Sequence, residues 1–307
     1  YIFFKQWFSL KSYFNKKGIQ VIGDMPFYVN YHSVDLWNNS GIFKLDESKR
    51  SSHVSGVPPD YFSETGQLWG DPVYNWNELK ERAYSWWIHR MKYCLNFFDI
   101  VRIDHFRAFL AYWEVQAGEK TALNGKWTEG PREDFFNVLL KHFPYLPVIA
   151  EDLGVITPDV KEIIQHFNFP GMRILLFAFD ENLPENPYAP HNHIKNCVVY
   201  TGTHDNNTVK GWFENEATPE SKDRVYRYIG HEVSAANIHW EFIKLAMMSV
   251  ADMVIIPAQD ILGLGEEARM NLPATPQGNW KWRLNSEGIT ASVIYKLGEM
   301  TYIYGRA

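Results

Sequence analysis

Short apolar runs that each lead into an acidic residue, separated by stretches of helical periodicity, constrain the fold of this chain more than any other feature. The runs are 19–25, 97–103, 147–150, 172–179, 197–201 and 251–257, and the acids at or just beyond them are Asp24, Asp104, Glu151, Asp180, Asp205 and Asp260. Alternating strands and helices predict a parallel sheet with crossover connections. Polar residues gathered at the C-terminal ends of such strands suit the mouth of a barrel or the crevice of an open sheet. No glycine-rich phosphate loop follows a run; Gly263-Leu264-Gly265 is too short and comes after the last one. This favours an α/β (β/α)8 (TIM) barrel. Such a barrel needs about eight strands, six are legible, and the chain opens on a helix. The expectation for residues 1–307 is a catalytic barrel that lacks its first two strands, with inserted loops or subdomains at the C-terminal face of the strands.

The segment Phe97-Phe-Asp-Ile-Val-Arg-Ile-Asp-His-Phe-Arg107 is the most telling of the runs. Side chains alternate along a strand, so Val101 and Ile103 point one way and Arg102 and Asp104 the other. A buried strand has a reason to carry Arg and Asp on one face when that face opens into a polar pocket.

Two long interruptions break the alternation. Residues 28–77, rich in Tyr, Trp, Gly and Pro, read as an ordered excursion from a strand end, a lid or subsite wall. Residues 108–146 read as a second loop or helical excursion, broken at 124–131 and helical over 132–142. The periodicity also predicts helices over 1–17, closed by Gly18, over 77–95, and over 222–249. Thr157-Pro158 starts another, and Asp152 reads as a further capping residue.

The net charge of −6, with no basic run, argues against a nucleic-acid or anionic-membrane partner. Apolar runs stop well short of the ~18 residues a membrane helix needs. Cys94 and Cys197 are too few for a disulfide framework. His191 and His193 have a metal-like spacing but no Cys or acid partners beside them, so no metal is expected. The Asn206 sequon lies inside a candidate site segment, where a glycan would block access, and this favours a non-secreted protein. Aromatic residues make up 16% of the chain, as suits either a bulky core or the stacking of sugar rings.

Carboxylates on neighbouring strand ends serve one reaction well, cleavage of a glycosidic bond with retention. That mechanism needs a carboxylate nucleophile and a carboxylic acid about 5–5.5 Å apart, and adjacent strands lie about 4.7–4.9 Å apart. Asp104 and Glu151 end consecutive predicted strands. Arg102 would keep Asp104 ionised, and the apolar frame of Ile149, Ala150 and Leu153 would raise the pKa of Glu151. Asp205, beside His204, could hold sugar hydroxyls. Other readings stand beside these: Asp24 and Asp180 as supports of the fold, and His204-Asp205 as a turn satisfied by Thr203.

Six segments carry a resemblance to a known family. They are Val21-Ile-Gly-Asp-Met-Pro-Phe-Tyr28, Gly56-Val-Pro-Pro-Asp-Tyr-Phe-Ser-Glu-Thr-Gly-Gln-Leu-Trp-Gly70, Val101-Arg-Ile-Asp-His-Phe-Arg107, Ile149-Ala-Glu-Asp-Leu-Gly154, Thr201-Gly-Thr-His-Asp-Asn206 and Asn271-Leu-Pro-Ala-Thr-Pro-Gln-Gly-Asn-Trp280. Together they resemble the 4-α-glucanotransferases, the amylomaltase or disproportionating-enzyme family, glycoside hydrolase family 77. The resemblance implies a barrel of the α-amylase type and transfer of α-1,4-glucan segments through a covalent glycosyl-aspartate. It implies Asp104 as nucleophile, Glu151 as acid/base and Asp205 as transition-state stabiliser. It assigns Asp24, Arg102, His105, His204, Asp180 and Asn271 to substrate binding, and Tyr61, Phe62, Gln67 and Trp69 to the acceptor side. It implies no cofactor and no metal; the partners are malto-oligosaccharides, starch or glycogen-type glucans, in the cytoplasm or a plastid stroma. The first strands of the family are absent, so the chain alone is expected to be poorly stable or inactive. An α-amylase-like hydrolase and a non-catalytic glucan-binding barrel are the alternatives.

Overall fold

A computed structural model describes residues 1–306 except 60–62, 155, 274, 276, 286 and 287. The chain divides into two compact units, Tyr1–Gly171 and Met172–Ala307. In the first, helix α1 (Ile2–Lys16) precedes strand β1 (Ile22–Met25), followed by the short helix α2 (Val34–Asn38) and strands β2 (His53–Val57) and β3 (Gln67–Pro72). Helices α3 (Trp76–Glu81) and α4 (Ser85–Phe97) lead to β4 (Ile100–Ile103), β5 (Ala111–Gln116), β6 (Lys126–Glu129), helix α5 (Arg132–His142), β7 (Val148–Ala150) and helix α6 (Pro158–His166). Then come β8 (Gly171–Ile174), β9 (Cys197–Tyr200), the single turn α7 (Val209–Gly211), α8 (Pro219–Ile229), α9 (Ile238–Met248), β10 (Met253–Ile255), α10 (Ala258–Ile261) and α11 (Ala291–Ile303).

All six strands expected from the apolar runs are present, and the fold is α/β. Strands β1, β4 and β7 form a three-stranded parallel sheet in that order. Strands β10, β9 and β8 form another, with β10 and β9 parallel. Neither sheet closes on itself among the described residues.

The two excursions do not stay separate. Hairpin β2–β3 from the first and hairpin β5–β6 from the second join into one antiparallel sheet, ordered β3-β2-β5-β6. Its inner face holds Glu114, buried and paired with Lys44 at 2.5 Å and Lys126 at 3.4 Å. A carboxylate removed from water in this way is stabilised only by such partners. The pairing spans distant segments, so local periodicity carried no sign of it.

Several helix boundaries differ from the periodic expectation. The helix expected over 77–95 breaks between α3 and α4, where Ala83 and Tyr84 adopt φ of 49° and 52°. Burial of the Tyr84 ring and the 2.7 Å hydrogen bond from its hydroxyl to Asp134 hold that turn in place. The helix expected over 222–249 breaks at Gly230, whose φ of 85° suits glycine. The N-cap residue of α6 is Thr157, and Asp152 is buried against Gly171.

The core of the first unit is aromatic. Phe27, Tyr74, Trp76, Trp87, Phe109 and Phe135 interlock around β1 and β4, with Trp87 fully buried. Trp86 and Trp87 are thus packing groups. Gly23 of β1 lets Phe98 lie directly on the strand, since a Cβ there would fall 2.0 Å from the Phe98 ring. Both cysteines are free thiols. No helix among the described residues is long and apolar enough to cross a membrane.

Candidate active site

Parallel pairing brings the first charged groups together. β1 and β4 pair from Ile22↔Ile100 to Met25↔Ile103, and β4 and β7 from Val101↔Val148 to Ile103↔Ala150. Asp104 and Glu151 are each the next residue after a paired strand end, so they leave the sheet side by side. The ladder continues through them: Asp104 N donates to Met25 O and Glu151 N to Ile103 O, both at 3.1 Å.

Arg102 faces Asp24 directly across the β1–β4 register. Its Nη1 lies 2.7 and 2.8 Å from the Asp24 carboxylate oxygens. Its Nη2 lies 2.9 Å from Asp104 Oδ1. The guanidinium is 10% exposed and each of the two carboxylates 43%, so the cation is fixed while the acids open to solvent. Burial alone would lower the pKa of Arg102; Asp104, Asp24 and Glu151 outweigh it and raise the pKa. Arg102 is therefore a permanent charge.

Glu151 sits in the opposite condition. Burial, and then the charge of Asp104, push its pKa up to about 7, against the opposing pull of Arg102 and two backbone N–H groups. Those groups are Leu153 N, 2.8 Å from Oε1, and His105 N, 2.7 Å from Oε2. Near neutral pH this carboxyl can both give and take a proton.

His105 supplies its N–H from a left-handed backbone, φ 49° and ψ 45°. For a residue with a Cβ that conformation costs about 1 kcal/mol. The ring is wedged among Phe27, Tyr28 and Trp69, with centroids at 6.4, 6.2 and 4.8 Å. Burial, then Arg107, push its pKa down to about 3, so it is neutral. Its Nε2 is buried without a partner among the described residues.

Trp69 and Gln67 come from β3 of the excursion. Trp69 is 40% exposed and its indole N–H donates to Gln67 Oε1 at 3.2 Å. Tyr61 and Phe62 lie outside the described residues.

Residues of the second unit form their own cluster. Asp205 Oδ1 accepts from Asn271 Nδ2 at 2.6 Å, and Oδ2 lies 3.4 Å from His204 Nε2. Asn271 N donates to His204 O at 3.0 Å, and the His204 ring lies 5.3 Å from that of Trp280. Neither Asp180 nor Asp205 ends a strand. β8 stops at Ile174 and passes into a 3₁₀ turn, which leaves Asp180 exposed in a loop where Oδ1 accepts from Asn182 N at 3.0 Å. Asp205 lies beyond the end of β9, on the segment that runs to α7. Asp260, by contrast, is interior: Oδ2 accepts from Thr201 Oγ1 at 2.6 Å and Oδ1 from Val209 N at 2.8 Å.

Two arginines were not anticipated. Arg269 Nη2 holds Asp205 O at 2.9 Å, and Arg107 stacks 4.0 Å over the Trp127 ring while its charge is felt by Glu151. Arg269 sits in no strand-end pattern, so nothing in the sequence pointed to it. Among the described residues no group of three His, Cys, Asp or Glu could hold a metal. His191 and His193 are engaged by Tyr228 and Pro184, and by Ser249 and Tyr188, respectively.

Comparisons with known proteins agree on one family. The family model for glycoside hydrolase family 77, described as 4-alpha-glucanotransferase, matches residues 1–290. A 4-alpha-glucanotransferase of Synechocystis is 50% identical over 99% of this chain and 60% of its own. The chloroplastic/amyloplastic 4-alpha-glucanotransferase of Solanum tuberosum is 45% identical over 100% of this chain and 53% of its own. Among solved structures, an amylomaltase from Streptococcus agalactiae in complex with acarbose superposes with a TM-score of 0.94 at 40% identity, covering 99% of this chain and 61% of that one. The chain thus spans little more than half to three fifths of the length of these relatives. With the match running almost end to end, the chain belongs to glycoside hydrolase family 77, the 4-α-glucanotransferases.

Proposed function

We propose that the intact protein is a 4-α-glucanotransferase that moves α-1,4-glucan segments from a donor malto-oligosaccharide, starch or glycogen-type chain to an acceptor glucan or glucose. The observation that carries the reading is the opposed condition of two carboxyls on adjacent strand ends. Asp104 is ion-paired to a buried arginine, and Glu151 is pushed up to about pKa 7. Such divergence suits one acid to act as nucleophile and the other as proton donor.

In the first step Glu151 gives its proton to the glycosidic oxygen as an Asp104 carboxylate oxygen bonds to the anomeric carbon. The C–O bond breaks and the leaving glucan departs as an alcohol. In the second step the ionised Glu151 takes the proton of an acceptor hydroxyl, which attacks the same carbon and releases Asp104. Asp205 takes the role of transition-state stabiliser from the family motif, held in orientation by Asn271 and His204. Arg102 and His204, with Asp24 as support, belong to the donor side in this reading, His105, Asp180 and Asn271 to substrate binding, and Tyr61, Phe62, Gln67 and Trp69 to the acceptor side. Both steps need no cofactor. The six strands are proposed to belong to a (β/α)8 barrel of the α-amylase type, which works in the cytoplasm or, as the name of the potato relative suggests, in a plastid.

The test is the product profile of the intact protein on maltotriose. Glucose together with oligomers longer than maltotriose is the expected result. Glucose and maltose in strict hydrolytic ratio would instead make it an α-amylase-like hydrolase. No turnover at all would leave a glucan-binding barrel.

A further inference from the structure

His105 touches two parts of the site at once. Its ring meets the edge of Trp69, on the antiparallel sheet built from the excursions, at 4.8 Å. Its backbone N–H, two bonds from the same Cα, donates to Glu151 Oε2 at 2.7 Å. The backbone between is left-handed, with φ 49°, a conformation that a residue with a Cβ keeps only when its surroundings hold it. Phe27 and Tyr28, which follow β1, and Trp69 are those surroundings.

We propose that His105 is a positioning residue that ties Trp69 of the excursion to the acid/base carboxyl of Glu151. The inference rests on the reading of Glu151 given above. The wedged ring fixes the left-handed turn, and the turn aims the N–H at Oε2. A hydrogen bond to a carboxylate favours its charged form. Trp69 in place therefore holds the Glu151 pKa below the level that burial alone would set. An acceptor sugar that moves the indole would alter the proton affinity of the group that must deprotonate it. The other groups facing Glu151 are Asp104 and Arg102 from the β4 end, Arg107 from the turn after it, and Leu153 N. Of the groups around Glu151, His105 is the one whose ring meets Trp69 among the described residues, so the coupling runs through His105.

The experiment records the pH dependence of kcat/KM for maltotriose disproportionation by the intact protein. The variants are Trp69→Ala, His105→Ala, His105→Phe and Trp69→Ala/His105→Ala. The alkaline limb reports loss of the Glu151 proton. Without the oriented N–H it should move upward by about half to one pH unit in Trp69→Ala and in His105→Ala, which keeps the Cβ that disfavours the left-handed turn but lacks the ring that holds it. It should move no further in the double variant and stay near the parent in His105→Phe, which keeps a ring in the wedge. A role of Trp69 in stacking alone would raise KM and leave the limb in place. Trp69 is half-exposed, so its truncation does not threaten folding. A titration of the Glu151 carboxyl carbon by NMR gives the same shift independently of turnover. Unmoved limbs and an unmoved NMR titration in folded Trp69→Ala and His105→Ala proteins would overturn the coupling. Near-parent activity in Glu151→Gln would overturn the reading beneath it.

Discussion

Arg102 on β4 and Asp104 just past its end form an ion pair at 2.9 Å while the same guanidinium grips Asp24 on the neighbouring strand at 2.7 and 2.8 Å. One buried cation thus fixes two carboxylates that face solvent. Replacing Arg102 by Gln should lower kcat/KM by about 10²–10³-fold, because a charge-assisted fork is lost from beside the nucleophile. Arg102→Lys should recover only a small part of that, since an ammonium cannot hold two carboxylates in one plane. Activity within threefold of the parent in Arg102→Gln, by initial rates on maltotriose, would show the fork to be idle.

Glu151 should set both activity and stability against pH. The general acid must be protonated, so transfer should decline as pH rises through about 7. The folded pKa lies above the ordinary glutamate value of 4.5, so the folded state binds the extra proton between those values. The associated stability is fully present below about pH 4.5 and is lost as pH rises through about 7, on the order of 2–3 kcal/mol. Glu151→Gln should remove that slope from chemical-denaturation curves taken at pH 4.5 and 8. An unchanged slope would place the titration elsewhere.

Asp104→Asn should do two things at once. Turnover should fall by more than about 10³-fold, since no carboxylate remains to form the covalent intermediate. The Glu151 pKa should fall as well, because the charge of Asp104, after burial, helps to raise it. A carboxyl titration that stayed at about 7 in this variant would argue that burial acts alone.

Asp260 ties Thr201, at the end of β9, to Val209, at the start of α7, and the segment between them carries His204 and Asp205. Burial pushes its pKa up to about 6, against the two hydrogen bonds. Asp260→Ala leaves a buried hydroxyl and a buried N–H without their acceptor and should cost about 2–4 kcal/mol in thermal unfolding. Asp260→Asn should cost far less, since its amide oxygen still accepts from Val209 N and the Thr201 hydroxyl can rotate to accept from its NH2. Equal losses in the two variants would mean that packing, not hydrogen bonding, is what Asp260 supplies.

Much of this protein was determined by sequence alone. The six strands follow from apolar runs whose period and length are local properties, and Arg102 and Asp104 share a face by alternation. The resemblance carried in short motifs led to the same family that the comparisons report. Tertiary structure decided what depends on distant pairing. It joined two excursions into one antiparallel sheet, broke two expected helices at left-handed turns, and removed Asp180 and Asp205 from the strand ends. The raised pKa of Glu151 was expected from its apolar frame, and burial is its largest cause; what pairing added is the charge of Asp104, brought beside it from the end of β4. The left-handed backbone of His105 is the clearest case. No propensity marks it, since only packing by Phe27, Tyr28 and Trp69, each distant in sequence, holds it there.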